Sequence, residues 1–165
     1  MKKIVAILMA VMMLVGLCAC GAKDSAANKK IEGDLVTVIN DMYAVVDLDA
    51  ETKESFSYHM IEAVPEDAEM QTYLLGSSEL GYAEAAYAMP MMNAVAYQLN
   101  LFRVSEGTDI EKFKADAEAA FDTGKWVCVM PEKVACVNVG DVVMFVAGTE
   151  QVVDALVVAF EAQGK

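Results

Sequence analysis

The 165-residue chain is short of the residue types that carry recognisable chemistry. Its one histidine, His59, has no partner that spacing identifies, so neither a general base nor a histidine-based metal site is predicted. Gly-x-Ser-x-Gly, His-Glu-x-x-His and a glycine-rich phosphate loop are all absent. Acidic pairs such as Glu66-Asp67 and Asp116/Glu118 lack the ligand order of a calcium loop and are interpreted as solvated helix faces. The sequence therefore predicts no catalytic residue, metal site or cofactor, and it favours a protein that is not an enzyme.

Basic residues are also few. The chain has 12 Lys and Arg against 25 Asp and Glu, which gives a formal net charge of −13 at pH 7. A chain this acidic repels phosphate backbones and anionic lipid headgroups. Nucleic acid is therefore excluded as a partner.

The first twenty residues are the most informative part of the chain. Two lysines precede an apolar run from Ile4 to Leu17, a pattern typical of a secretory signal peptide. The next residues complete the string Leu17-Cys18-Ala19-Cys20, which resembles the lipobox of bacterial lipoproteins. This resemblance implies cleavage after Ala19 and attachment of diacylglycerol to the sulfur of Cys20.

We therefore predict a signal peptide over residues 1–19, a lipidated Cys20 with a flexible tether over residues 20–30, and one folded domain over residues 31–165. The domain would sit on the extracytoplasmic face of the cell membrane, held by the palmitate-type anchor. Cleavage removes two lysines, so the mature chain would carry a net charge of about −15. An uncleaved membrane helix or plain secretion are the alternatives, but the small residues around Cys20 favour a peptidase site.

Apolar spacing predicts helices and strands in alternating groups. The first predicted helix runs from Ile31 to Val46, and a short one lies between Pro65 and Gly76. A third helix begins with a capping box of Thr108 and Glu111 and ends near Gly124. The last one begins after the cap Thr149 and ends near Ala162. The predicted strands are Glu84 to Met89, Val95 to Val104, Val134 to Val139 and Val142 to Ala147. The stretch Leu48 to Val64 is mixed and predicts no element.

The last two strands flank Gly140-Asp141, a two-residue hairpin signal. Pairing across this turn places six apolar residues on one face, which must be core: Val139 with Val142, Val137 with Met144, and Ala135 with Val146. The other face carries Cys136, Asn138, Val143 and Phe145, and either the first helix covers it or it is a docking surface. The predicted fold class is α+β, an antiparallel sheet of about four strands with helices packed on it.

The string Met89-Pro90-Met91-Met92-Asn93, followed by a strand and a capped helix, resembles a family of small Gram-positive lipoproteins, the domain of unknown function 4358 family. The segment from Pro131 through the Gly140 hairpin to the terminal helix fits as well. The chain departs from the family at Tyr97-Gln98, where an acidic residue is usual, and in a shortened loop before the hairpin. Because the family has no assigned activity, the resemblance implies fold and location only.

Three groups of side chains suggest specific chemistry. Cys128 would lie opposite Cys136 if residues 127–130 paired back on residues 134–137, which allows a disulfide in an oxidising compartment; two free buried thiols are the alternative. The thioethers of Met89, Met91 and Met92 suit Cu(I), but core packing is the more common use of methionine. Four aromatic side chains could line a carbohydrate or peptide groove, although they suit a core equally well. They are Tyr87, Tyr97, Phe102 and Trp126.

These observations support two functions. The leading hypothesis is a non-enzymatic, lipid-anchored domain that binds a protein partner or another component of the cell envelope. The alternative is a small ligand-binding subunit or enzyme associated with an envelope transporter, which a deep pocket holding His59 or Tyr97 would favour.

Overall fold

The computed structural model describes residues 29–92, 95–126 and 128–164. The predicted signal peptide, Cys20 and most of the predicted tether lie outside these residues. The described residues form five α-helices: α1 Leu35–Val45, α2 Ala50–Ser55, α3 Ala68–Leu75, α4 Ile110–Ala120 and α5 Glu150–Glu161. They also form five strands: β1 His59–Ala63, β2 Glu84–Pro90, β3 Gln98–Arg103, β4 Lys133–Val139 and β5 Val142–Gly148. Within the described ranges, no helix has the length and apolar character needed to cross a membrane.

The strands form one antiparallel sheet in the order β1-β2-β3-β5-β4, which confirms the α+β class. The β4–β5 hairpin has the predicted register, with Val139 opposite Val142 and Val137 opposite Met144. The sheet has one strand more than the predicted four, because β1 forms within the stretch Leu48 to Val64. Its first three residues are all half-buried at the sheet edge, so no alternation of polar and apolar residues marks it.

Helices α1 and α5 cover one face of the sheet. Their buried stripes include Leu35, Ile39, Leu156 and Phe160, which pack against the strand residues of that face, such as Met144. This is the face of the hairpin that the sequence predicts as core. The hydrophobic effect supplies its stability, since each fully buried aliphatic or aromatic side chain contributes about 1.5–3 kcal/mol.

Helices α3 and α4 cover the opposite face. Val143 and Phe145 of β5 lie in a second core with Phe113 of α4 and Leu74 of α3. The prediction that the first helix or a docking surface accounts for this face is therefore wrong. Helix α1 packs on the other side, where its apolar stripe is buried in the first core.

Two buried amides hold α3 on this face. The side chains of Gln98 and Asn100 are almost fully buried, and both donate to the carbonyl oxygen of Leu74 at the end of α3. That carbonyl belongs to the last turn of a helix, whose oxygens have no partner within the helix. The polar positions of strand β3 thus serve as a helix cap inside the protein.

The helix starts follow the usual capping chemistry, with one exception to the sequence prediction. Asp34, Asp67 and Thr149 accept from backbone N–H groups at the starts of α1, α3 and α5. At α4 the cap is Asp109 and not Thr108, because the Asp109 carboxylate accepts from the N–H of Lys112 at 3.1 Å. The predicted capping box of Thr108 and Glu111 is therefore wrong by one residue.

The described chain enters the domain beside the Gly140 turn. The carbonyl oxygen of Lys29 would lie 2.4 Å from a Cβ on Gly140, and Gly164 at the other terminus also packs near Lys29. The guanidinium of Arg103 clamps the segment that follows, donating to the carbonyl oxygens of Ile31 at 2.9 Å and Gly33 at 2.7 Å. The tether predicted from the sequence would therefore leave the domain at this end of the sheet.

Candidate functional site

A cavity of about 630 Å³ lies at the end of the sheet opposite the Gly140 turn. We call it the Tyr97 cleft. Its lining comes from α2 and the turn after it, the start of β1, the residues before β3, the loop before β4, the end of β5 and the start of α5. The lining residues are Thr52, Ser55, Phe56, His59, Val95, Ala96, Tyr97, Val129, Met130, Pro131, Glu132, Gly148, Thr149, Gln151 and Val152.

Strand pairing brings these distant segments together. His59 begins β1 opposite Pro90, the last residue of β2, and Gln98 begins β3 opposite Ala147 near the end of β5. The starts of β1 and β3 and the ends of β2 and β5 therefore meet at the same end of the sheet. A short 3-10 helix over Phe56–Tyr58 precedes β1 and places Phe56 in the cleft lining. The volume is typical of pockets that bind small molecules or anchor side chains of a partner.

The two aromatic polar residues of the cleft lining, His59 and Tyr97, are bridged by the hydroxyl of Tyr43, which is not itself a lining residue. The Tyr43 hydroxyl lies 2.6 Å from the Tyr97 hydroxyl and 3.1 Å from Nδ1 of His59. The Phe56 ring stacks on Tyr43 with centroids 4.1 Å apart, and the His59 and Tyr97 rings lie 4.7 Å apart. Burial raises the pKa of both Tyr43 and Tyr97, so both hydroxyls stay protonated.

His59 is neutral at physiological pH, because burial lowers its pKa to about 4. A neutral imidazole offers one donor and one acceptor, and Nδ1 already faces the Tyr43 hydroxyl. Only Nε2 is left to exchange a hydrogen bond with a molecule in the cleft. No carboxylate among the described residues bonds this ring, so the orienting group of a catalytic dyad is lacking there. The arrangement suits recognition of a neutral polar group better than proton transfer.

The opening of the cleft carries several exposed apolar side chains. We use the term apolar rim for six exposed side chains at this end of the sheet: Tyr58, Met91, Met92, Val95, Val129 and Met130. Three of them line the cleft directly, and the backbone N–H of Met91 donates to the Tyr58 carbonyl beside His59. Met130 and Met92 are 63% and 77% exposed, which is costly for large apolar groups in water. A rim of this kind is typical of a surface that binds an apolar partner, and methionine adapts well to partners of different shape.

The four predicted aromatic residues do not form one groove. Tyr87, Phe102 and Trp126 lie in the core beneath α3 and α4, whereas Tyr97 lies on the opposite face and lines the cleft. The sequence places Tyr97 among the candidates but misses Tyr43 and Phe56. For Tyr43, the one signal of burial in the sequence is its position next to Met42 and three residues before Val46 in the predicted first helix. For Phe56 the sequence gives no signal, because no helix or strand is predicted around it.

The three methionines considered for Cu(I) also separate. Met89 is buried in the core against α3 and α4, while Met91 and Met92 are exposed in the apolar rim. Among the described residues no group of three His, Cys, Asp or Glu side chains could hold a metal ion. Met91 and Met92 are therefore exposed to solvent in the rim, away from Met89.

Cys128 and Cys136 are free thiols in the structure. The strand pairing on which the predicted disulfide depended does not form, because β4 is an edge strand that pairs with β5 and residues 128–130 belong to no strand. Cys136 turns toward α4, with its sulfur 3.9 Å from the Lys114 carbonyl oxygen. Burial raises the pKa of this thiol to about 12, so it stays protonated and unreactive.

A second, smaller cavity of about 120 Å³ surrounds Lys125 on the α3 and α4 face. The ammonium lies 4.6 Å from the ring centroid of Phe121 and 5.2 Å from those of Tyr73 and Trp126, and it donates to the side-chain oxygen of Gln98. Burial lowers the pKa of Lys125 to about 8. Because the ammonium completes the hydrogen bonds of a buried amide and contacts three aromatic faces, its role is to close the core.

Comparisons with known proteins leave the site to be interpreted from its geometry: no family model matches the chain, and neither curated proteins nor solved structures give a match. The resemblance to the domain of unknown function 4358 family stays a prediction. The cleft is therefore interpreted from its own side chains, with His59 and Tyr97 as its polar groups.

Protonation of His59 is expected to destabilise the domain as the pH falls from about 6.5 to about 4. The unfolded chain, with an ordinary histidine, takes up the proton first, so stability is fully present above that window and decreases within it. The shift corresponds to at most about 3 kcal/mol, and solvent around the half-exposed ring reduces this to about 1–2 kcal/mol.

Urea unfolding at several pH values, compared between the wild type and His59→Phe, measures this loss. The phenylalanine keeps the ring contacts with Phe56 and Tyr97 but cannot titrate. The wild type should lose about 1–2 kcal/mol more than the variant between pH 7 and pH 4. Parallel pH profiles for the two proteins would show that His59 titrates normally.

Proposed function

We propose that the protein is a lipid-anchored, extracytoplasmic binding domain without catalytic activity, and that the Tyr97 cleft is its binding site. The anchor is supported by the lipobox-like string ending at Cys20. The binding site is supported by the cleft itself, which combines a cavity of about 630 Å³ with an exposed apolar rim. Exposed apolar side chains concentrated around one cavity favour a partner that covers them.

A small ligand-binding subunit of an envelope transporter is the second candidate, and the cleft favours this candidate too, since the cavity holds both His59 and Tyr97. A neutral imidazole and a protonated phenol suit a ligand with neutral polar groups. The exposed rim extends beyond the cavity, however, and a small ligand would leave Met91 and Met92 in water. A macromolecular partner therefore accounts for more of the surface.

The Cys20→Ser variant is expected to lose the anchor completely, because serine carries no thiol for the thioether to diacylglycerol. Cells that produce the wild type should incorporate labelled palmitate into the protein and retain it in the membrane fraction. The variant should take up no label. Cys18→Ser is the matched control and should keep both label and location, since the predicted cleavage removes residue 18.

Photo-cross-linking in intact cells tests the binding site. A benzophenone amino acid at position 130, on the rim, should form a covalent adduct of discrete mass, whereas the same probe at Val158 should not. Val158 is 68% exposed and lies on α5, away from the cleft lining. Adding Ala96→Trp, which places a large ring at a lining residue of the cleft, should abolish the adduct at position 130. Equal labelling from both positions, or labelling that survives Ala96→Trp, would contradict a site in the cleft.

A further inference from the structure

The charges around the Tyr97 cleft have one predominant sign. Glu132 is the one charged residue in the lining that the structure describes, and its carboxylate accepts from the backbone N–H of Glu150 at 3.0 Å. Glu51 and Glu54 are exposed on α2, each next in sequence to a lining residue. Glu150 is itself exposed between the lining residues Thr149 and Gln151, so four carboxylates lie in the lining or next to it in sequence.

Two ammonium groups lie nearby, and one of them is already paired. Lys133 Nζ lies 2.6 Å from a carboxylate oxygen of Asp154 and 3.8 Å from one of Glu150, and Lys53 is exposed on α2 between Thr52 and Glu54. The surroundings of the cleft remain net negative. Such a field attracts cations and raises their association rate, and it disfavours anionic lipid headgroups.

The cleft and the chain entry lie at opposite ends of the sheet. Strand β5 runs from Val142, next to the Gly140 turn where Lys29 packs, to Gly148 in the cleft lining. Seven residues of strand span roughly 20 Å at about 3.3 Å per residue. A domain tethered through its N-terminal segment would thus present the cleft away from the membrane surface.

We propose that the Tyr97 cleft binds a basic peptide segment of an extracytoplasmic protein, with an apolar side chain of that segment inserted into the cavity that Phe56 and Tyr97 line and its Lys or Arg residues facing the surrounding carboxylates. This inference rests on the proposed function and specifies its partner. An anchor side chain in a cavity, surrounded by weaker contacts, is the usual arrangement of a peptide site. The apolar rim supplies those contacts, and the carboxylates on α2 and the β4–α5 side select for positive charge.

Three fluorescein-labelled synthetic peptides test the proposal. They share a central Leu-Phe-Leu sequence and differ only in flanks of lysine, glutamine or glutamate. Fluorescence anisotropy with the Cys20→Ser protein should give an affinity for the lysine peptide at least about tenfold above that for the glutamate peptide, and rising salt should reduce the difference. Ala96→Trp should abolish binding of the lysine peptide.

Charge-reversal variants test whether peptide binding depends on the charges beside the cleft or on the net charge of the whole protein. Glu51→Lys combined with Glu54→Lys should weaken the lysine peptide by at least about threefold, whereas the matched reversal Asp116→Lys with Glu118→Lys, on exposed positions of α4, should leave it almost unchanged. Equal effects of the two reversals would overturn the proposal, because the attraction would then be nonspecific.

The remaining outcomes separate this proposal from the function on which it rests. Equal affinity for the three peptides would overturn the charge preference. No binding of any of them, or cleft-dependent binding of the protein to phosphatidylglycerol vesicles, would overturn the peptide partner. In each of these cases an adduct from position 130 that Ala96→Trp abolishes would still support the cleft as a binding site, and its absence would reject the proposed function itself.

Discussion

Replacing Gly76 with alanine is expected to destabilise the domain by about 2–5 kcal/mol. Gly76 ends α3 with a φ of 84°, a left-handed conformation that costs a residue with a Cβ about 1–2 kcal/mol. A Cβ at this position would also lie 2.1 Å from the backbone oxygen of Ala120 at the end of α4. Because the obstructing atom is backbone, α3 and α4 must move apart, and the core between them loses contacts.

Gly33→Ala is the matched control, since Gly33 has a φ of 87° and a Cβ added there would meet nothing within 4 Å. This variant should lose only the conformational part, about 1–2 kcal/mol. Urea unfolding followed by far-ultraviolet circular dichroism measures both. Equal losses for the two variants would mean that the ends of α3 and α4 are not in close contact.

Arg103→Ala is expected to cost about 2–3 kcal/mol and to release the start of the domain. The guanidinium donates to Glu84 at 3.1 Å and to the carbonyl oxygens of Ile31 and Gly33, and Asp141 lies 3.7 Å away. Alanine removes these bonds together and leaves the half-buried Glu84 carboxylate without its cation. Amide hydrogen exchange should accelerate over residues 31–35 before the rest of the domain opens.

Two further variants show whether geometry or charge carries this effect. Arg103→Lys keeps the charge but cannot reach Glu84 and both carbonyl oxygens at once, so it should lose about 1 kcal/mol. Lys112→Ala removes an ion pair with Asp116 whose lysine is 70% exposed, and it should leave stability almost unchanged because solvent screens the pair. If Arg103→Ala were as mild as Lys112→Ala, the clamp would have no structural role.

The sequence predicts local structure well where one physical signal dominates. The Gly140-Asp141 turn and the flanking alternation predict the β4–β5 hairpin and its register, since a two-residue turn leaves one pairing, which puts Val139 and Val142 on the same face as Met144. The left-handed Gly76 likewise ends α3 where the sequence places a stop. Strand β1 escapes prediction because an edge strand that is half-buried on both faces has no alternation.

The candidate site is less predictable, because no single element contains it. His59 and Tyr97 each look like ordinary residues in their own segments. Their rings lie 4.7 Å apart only because β1 and β3 both begin at the same end of a sheet in which β2 separates them. The strand pairing that would place Cys128 opposite Cys136 does not form for a similar reason, since it needs a neighbouring strand where β4 has its free edge.

By itself, the sequence determined the acidic character of the protein, the α+β class, the β4–β5 register and the prediction of an anchor at Cys20, because each depends on composition or on residues close together in the chain. The tertiary structure alone decided which helices cover which face of the sheet and where the Tyr97 cleft opens. Those features depend on contacts between segments far apart in sequence. The hydrophobic effect depends on the apolar area that is buried, and it is the same whichever segments supply that area. Such contacts leave no pattern in any one segment.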